Sequence, residues 1–242
     1  DTFLFFLRNQ NELNCQDSIY DVDNEGMSAL SIAVKYQKLE IIDYLLHKVG
    51  GFNINEQNNS KQTPLHIAAT LSNRAIIEIL LKEEKIDLNI LDENKNTPLL
   101  ICIANEDEED ALLLLERNDC ITKVQNNKGW SPLHFAASIG NVKLLKKIMS
   151  KKDAPIDVLN NEDDTPLDIA IQNKHKEAEE FLVLKASQKY LEIKDKNGNT
   201  AYDYAIATNQ NDVAELINNK INSPISSFFH SIPKITSFMI KP

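Results

Sequence analysis

Gly129-Trp130-Ser131-Pro132-Leu133-His134-Phe135-Ala136-Ala137 reads as a turn running straight into a helix, and the chain says it again elsewhere. Thr63-Pro64-Leu65-His66-Ile67-Ala68-Ala69 is the nearest copy. Shorter echoes stand at Thr97-Pro98-Leu99-Leu100, Thr165-Pro166-Leu167-Asp168, Thr200-Ala201-Tyr202-Asp203 and Ser28-Ala29-Leu30-Ser31. The hydroxyl residues fall at 28, 63, 97, 131, 165 and 200, in steps of 35, 34, 34, 34 and 35. A period of that length marks a stack of small supersecondary units, each burying its apolar face against the next.

Each unit follows one plan. Polar residues and a Gly form a turn, as in Asn126-Asn127-Lys128-Gly129 and Asp195-Lys196-Asn197-Gly198. Gly takes positive φ at low steric cost, and Asn or Asp tolerates it best among the rest. The Ser or Thr then accepts from unpaired N–H groups at the helix start, and Pro at the first helical position gives up a donor that had no partner there. Short helices are expected over roughly 64–71, 98–104, 132–139, 166–173 and 201–208. A second helix follows each, apolar at Ile76, Ile77, Ile79, Leu80 and Leu81 in one unit and at Val142, Leu144, Leu145 and Ile148 in another. An extended return such as Phe52-Asn53-Ile54-Asn55 or Ile86-Asp87-Leu88-Asn89 leads into the next turn.

Turn, helix, tight turn, helix and return, with Thr-Pro-Leu-His opening the first helix, resembles the ankyrin repeat. The resemblance implies an all-α repeat solenoid of helix-turn-helix units joined by short β-turn or hairpin loops. It covers residues 23–220 as about six units, with 1–22 as an N-terminal capping half-repeat and 221–242 as a C-terminal cap, tail or linker. Residues 1–10 read as one helix of the incomplete first unit. Pro224, Pro233 and Pro242 break up the apolar tail, which reads either as a cap over the last unit or as a docking segment.

Departures from the pattern carry an energetic expectation. Lys61, Lys95 and Asp163 replace the turn Gly, and Ser72, Glu106, Lys174 and Asn209 replace the Gly between the two helices. Each non-Gly residue held left-handed costs about 1–2 kcal/mol. Stability should therefore vary along the array, with the third and fifth units softest.

Composition excludes several functions. A net charge of −10 and a pI near 5.0 suit no nucleic acid, whose binding needs clustered Lys and Arg. No run of 18 apolar residues exists to span a membrane. Cys15, Cys102 and Cys120 are odd in number and form no CxxC pair, which points to a reducing compartment: cytoplasm, or host-cell cytoplasm for an exported effector. Asp1 stands where a Met would, so the chain reads as a piece of something longer. Heavy use of Asn, Lys and Ile suggests an AT-rich genome.

No catalytic, cofactor or metal constellation stands out, and the chain is read as a non-enzyme. Asp21-Val22-Asp23-Asn24-Glu25-Gly26 opens like a calcium loop but has Ile32 where the bidentate Glu belongs. Gly129-Trp130-Ser131 has Leu133 where a nucleophile elbow needs its second Gly. His66 and His134 recur in phase and read as supports of the helix start. The acidic run Glu106-Asp107-Glu108-Glu109-Asp110 and Lys143, Lys146, Lys147, Lys151 and Lys152 read as a solvated outer face, the lysines alternatively as a site for an acidic partner.

What the family resemblance implies is a protein-binding scaffold, here read as a monomer, that grips its partner with turn tips and the inner face of the first helices. Carried over by position, the tips include Met27, Gln62, Asn96, Trp130 and Asp164, and the inner-helix positions include Tyr36, Leu71, Asn105, Ser138, Ile139 and Asn173. Trp130, the one Trp in the chain, is the expected anchor, since an aromatic at a turn tip fits a binding hot spot. The competing reading lays it flat over a neighbouring turn. The alternative function is a targeting or regulatory module of a larger enzyme or secreted effector. Resemblance also marks Asn89, spaced from Leu81 and Asp87, as a possible β-hydroxylation target, against the plainer role of closing its turn.

Overall fold

Six Asx side chains organise the turns. Asp23, Asn58, Asp92, Asn126, Asn160 and Asp195 each accept two backbone N–H bonds from residues two and four positions on, at 2.7–3.0 Å. These bonds hold the turn shut whatever residue takes the positive φ inside it. The computed structural model describes residues 20–49 and 51–223, and among these it forms helices and turns with no strand. The expected helix over 1–10 and the 224–242 tail lie outside the described residues.

The fold is the expected all-α repeat solenoid. Its inner helices are α1 (Ala29–Lys35), α3 (Pro64–Thr70), α5 (Pro98–Ala104), α7 (Pro132–Ser138), α9 (Pro166–Asn173) and α12 (Ala201–Ala207). Its outer helices are α2 (Leu39–Tyr44, running on as a π-helical turn Leu45–Val49), α4 (Arg74–Leu81), α6 (Glu108–Glu116), α8 (Val142–Met149), α10 (Lys176–Lys185) and α13 (Asn211–Ile221). A short α11 (Gln188–Leu191), capped by Ser187, stands where other units have only an extended return. It seats Tyr190 in the core, whose hydroxyl accepts from the Leu167 N–H at 3.2 Å.

The chain divides into two bodies, residues up to 132 with 150–154, and residues 133–149 with those from 155 on. In the first, α1 packs on α3 and α3 on α5, and α2, α4 and α6 each cover the inner helix of their own unit. In the second, α9 packs on α10 and α12, and α13 on α10, α11 and α12. Ser28, Thr63, Thr97, Thr165 and Thr200 accept from the N–H three residues on, as their position at a helix start predicts. Turn joins turn through the backbone: Asn59 N–H donates to Glu25 at 2.9 Å, Glu93 to Ser60 at 3.0 Å, Asn127 to Asn94 at 2.9 Å, and Lys196 to Glu162 at 3.2 Å.

All seven residues in glycine positions are left-handed: Lys61, Ser72, Lys95, Glu106, Asp163, Lys174 and Asn209 have φ between 49° and 61°. Gln37 joins them at 55°. Lys174 caps α9 at φ 61° and ψ 42°, with its side chain exposed. Replacing it by Gly is expected to raise stability by about 1 kcal/mol, read as a higher urea midpoint. An unchanged or lower midpoint would show that the left-handed Lys carries no strain.

Candidate functional site

The inner helices end on one register position, occupied by Tyr36, Leu71, Asn105, Ile139, Asn173 and Thr208. In the first body Tyr36 is 64% exposed and Leu71 37%, on consecutive units. Asn105 follows, exposed, with its amide on the carbonyls of Ala69 at 3.3 Å and Thr70 at 3.5 Å. Two large apolar side chains thus stand in water beside a polar one whose donors are engaged.

The turn tips are more closed than their sequence positions imply. Met27 is 2% exposed, so this tip position belongs to the core and leaves the candidate surface. Asp164 is also buried, at 8%, because Asn160 donates to one carboxylate oxygen at 3.1 Å and Gln172 to the other at 3.4 Å. Gln62 is half-buried, accepting from Asn58 at 3.4 Å. Asn96 is half-buried as well: its Nδ2 donates to Asp92 at 3.3 Å and its Oδ1 accepts from Asn126 at 3.1 Å. Trp130 is half-buried, its N–H donating to Asn126 Oδ1 at 3.0 Å. Tyr36 therefore offers more free apolar surface than the Trp that the sequence singles out.

In the second body Ser138 and Ile139 are half-buried, and the Ser138 hydroxyl donates to the Phe135 carbonyl at 2.8 Å. Asn173 is exposed, its amide donating to Ile169 at 2.8 Å. Tyr202 and Ile206, one turn apart on α12, are exposed too, a feature absent from the expected surface. Tyr202 stands in the register of the buried Leu65, and only its place on the last inner helix described leaves it open.

Asn89 is a clamp between returns. Its Nδ2 donates to the Asp119 carbonyl and its Oδ1 accepts from Ile121 N–H, both at 2.8 Å. Asn55 makes the same pair with Lys85 and Asp87. Both amide atoms are occupied, which suits turn closure.

The in-phase histidines are structural donors. His66 Nδ1 accepts from Thr63 N–H at 3.2 Å, so Nε2 carries the proton and donates to the Asn96 carbonyl at 3.1 Å. His134 Nε2 donates to the Asp164 carbonyl at the same distance. Burial pushes both imidazoles down, His134 to about 4. Cys102 and Cys120 are buried and unpaired to each other, and burial pushes the Cys120 thiol up to about 12. Such a thiol is unreactive. Among the described residues no group of three His, Cys, Asp or Glu is placed to hold a metal, and no helix is long and apolar enough to cross a membrane.

Most of the two charge runs is exposed or half-buried as expected, with Glu106, Glu109, Lys143, Lys146 and Lys152 exposed, but one member is not. Asp110 is buried, both its carboxylate oxygens lacking a hydrogen-bond partner. Lys146 lies 5.7 Å from the Phe181 ring centroid, with Lys185 at 5.9 Å, and Lys151 donates to the Arg117 carbonyl at 2.7 Å. The basic run is in part tied into the fold.

Comparison with known proteins agrees with this architecture. Family models for ankyrin repeats match residues 49–124 and 112–195 (three copies) and 13–68 (many copies). The chain is 30% identical to human transient receptor potential cation channel subfamily A member 1 over 162 residues, 64% of this chain and 14% of the channel. It is 28% identical to a probable 26S proteasome regulatory subunit, p28, of Saccharomyces cerevisiae over 76% of this chain and 81% of that one. It thus spans a small part of the first relative and most of the second. Among solved structures, a chain from the complex of a predatory endopeptidase of Bdellovibrio bacteriovorus with an immunity protein superposes with a TM-score of 0.66 at 25% identity, covering 83% of this chain and all of that one.

Proposed function

Because the chain belongs to the ankyrin-repeat family, we propose that it is a non-catalytic, monomeric scaffold that binds a partner protein through the ends of its inner helices. The observation that carries this reading is the pair Tyr36 and Leu71, exposed at the same register position of consecutive units. Tyr is among the residues enriched in binding hot spots, and an exposed Leu in register with it extends the apolar surface. Trp130, half-buried at its turn tip, is a secondary contact, and Gln62, Asn96 and Asn105 form the polar surroundings. Ile139, Ser138 and Asn173 are the corresponding candidates of the second body. Free, buried Cys102 and Cys120 support a reducing compartment, the cell's own cytoplasm or a host's.

A second reading, a targeting module within a larger protein, is favoured by the channel relative, of which the chain spans only 14%. Either way the same surface does the binding. A partner captured by the wild-type chain should lose about tenfold or more in affinity to Tyr36→Ala/Leu71→Ala, since a hot-spot truncation costs about 2 kcal/mol. Leu184→Ala, at an exposed site on an outer helix, is the control. Full affinity in the double variant, or an equal loss in the control, would refute the site.

A further inference from the structure

The fifth unit puts Asp168 where the second and fourth have His66 and His134. In those two units the ring ties the inner helix to a carbonyl thirty residues on, at Asn96 and Asp164. Each of these carbonyls belongs to the residue just before the next Thr cap. Asp168 performs half of that task. Its Oδ2 accepts from the Thr165 N–H at 2.8 Å and the Thr165 hydroxyl at 2.7 Å, as the imidazole Nδ1 of His66 does toward Thr63. Its Oδ1 is buried without a partner, in a residue only 2% exposed. The carbonyl in register with those of Asn96 and Asp164 is that of Asn199, which holds the Asp195 N–H at 2.9 Å. A carboxylate oxygen cannot donate to a carbonyl, but a carboxylic acid can.

The surroundings favour the acid. Asp164 and Asp195 act on Asp168 with like charge, and α11 contributes the neutral Tyr190 phenol, whose oxygen accepts from the Leu167 N–H. From α12 come Tyr204, whose hydroxyl donates to Asp195 at 2.5 Å, and Asp203, which caps Thr200. From α10 come Glu179, buried and itself unpartnered, and Lys176, which reaches Asp212 at 3.0 Å. None of these places a cation on Asp168.

We propose that Asp168 is a proton-operated joint: protonated, its Oδ1 donates to the Asn199 carbonyl and fastens α9 to the turn at 195–199, and ionised it leaves that fastening open. Burial, joined by the two neighbouring carboxylates, raises its pKa to about 6. An Asp in the unfolded chain titrates near 3.9. The folded state therefore holds the proton more tightly, and the stabilisation is complete below pH 4 and declines as pH rises from there through about 6. The joint acts between the last two units described, so its state sets how firmly α12 and the exposed Tyr202 and Ile206 are held.

Amide hydrogen exchange over residues 195–207, corrected for intrinsic rates, tests this at pH 5 and pH 8. Wild type should lose about fivefold protection at the higher pH, the worth of one hydrogen bond. Asp168→Asn supplies a donor that does not titrate, and Asp168→His restores the imidazole; each should hold its protection at pH 8. Contributions of His134 and Glu179 are common to all three proteins and cancel in the comparison. The carbon-13 shift of the Asp168 carboxyl should titrate near pH 6. A midpoint near 4, or an equal loss of protection in wild type and Asp168→Asn, overturns the proposal. If Asp168→Asn does not fold, the Asp168→His comparison and the carboxyl titration decide it.

Discussion

Replacing Gly140 by Ala is expected to destabilise the second body by about 2–4 kcal/mol, against about 0.5 kcal/mol or less for an ordinary surface substitution. Gly140 sits between α7 and α8 at φ +67°, where any side chain costs about 1–2 kcal/mol. The added Cβ would also stand 2.6 Å from both Cγ and Nδ1 of His175. That ring cannot swing aside freely, because its Nε2 donates to the Ser138 carbonyl at 2.8 Å. Moving it breaks the bond and leaves a carbonyl unpaired. Ser72, Glu106, Lys174 and Asn209 hold the same backbone conformation with side chains in place, so conformation alone does not forbid a Cβ. The close approach of His175 distinguishes Gly140. Urea unfolding should show the loss, and Gly140→Ala combined with His175→Ala should recover part of it. An unchanged midpoint in the single variant would contradict the packing described for this joint.

Glu179→Leu should do the opposite, stabilising the protein by about 1–3 kcal/mol at pH 8. Glu179 is fully buried on α10 with neither carboxylate oxygen hydrogen-bonded. An unpartnered buried polar group costs about this much, and a well-packed apolar replacement commonly recovers it. The register supplies the replacement, since the same place on α4 is Ile77 and on α8 Leu145, both fully buried. Burial, with Glu180 nearby, raises the pKa of Glu179 to about 7, against about 4.3 for an unfolded Glu. Its ionisation penalty is therefore absent below pH 4, grows as pH rises through the folded value, and is complete above 7. The gain from Glu179→Leu should shrink when the measurement is repeated at pH 5. His134 works with the opposite sign: its pKa is depressed below that of an unfolded His, so its contribution is lost as pH falls from about 6.5 to about 4. Wild-type stability thus mixes opposed trends, and the variant difference isolates Glu179. A gain of equal size at both pH values would show that ionisation is not the cost.

The helix starts were legible because their chemistry is local. A Ser or Thr at the helix start caps it with or without a following Pro, and five such caps make the expected bond, three of them Thr-Pro. The left-handed positions followed from the period, since Lys95 or Glu106 must adopt the backbone that Gly129 or Gly140 adopts. Side-chain direction was less accessible. Met27 and Trp130 share a register position, yet the thioether goes inside and the indole stays half out. Position fixes the backbone there, while size and neighbours fix the side chain. Asp110 was lost inside an acidic run that looked like surface. Its register partners Ile76 and Leu144 are core residues, and that alignment was the available signal. The short helix α11 had one too, in Ser187 three residues before Tyr190, a cap followed by an anchor.

The Asx side chain at the head of each turn has a consequence for how such a chain diversifies. It grips the N–H of the residue two positions on, and that residue is Glu25, Ser60, Asn94, Lys128, Glu162 and Asn197 in the six units. The main chain is pinned there by a bond that does not depend on which side chain the residue carries. Acid, hydroxyl, amide and base all occur at the one position. Its charge can be rewritten unit by unit while the backbone keeps its shape, giving the array a repertoire of surfaces on one invariant frame.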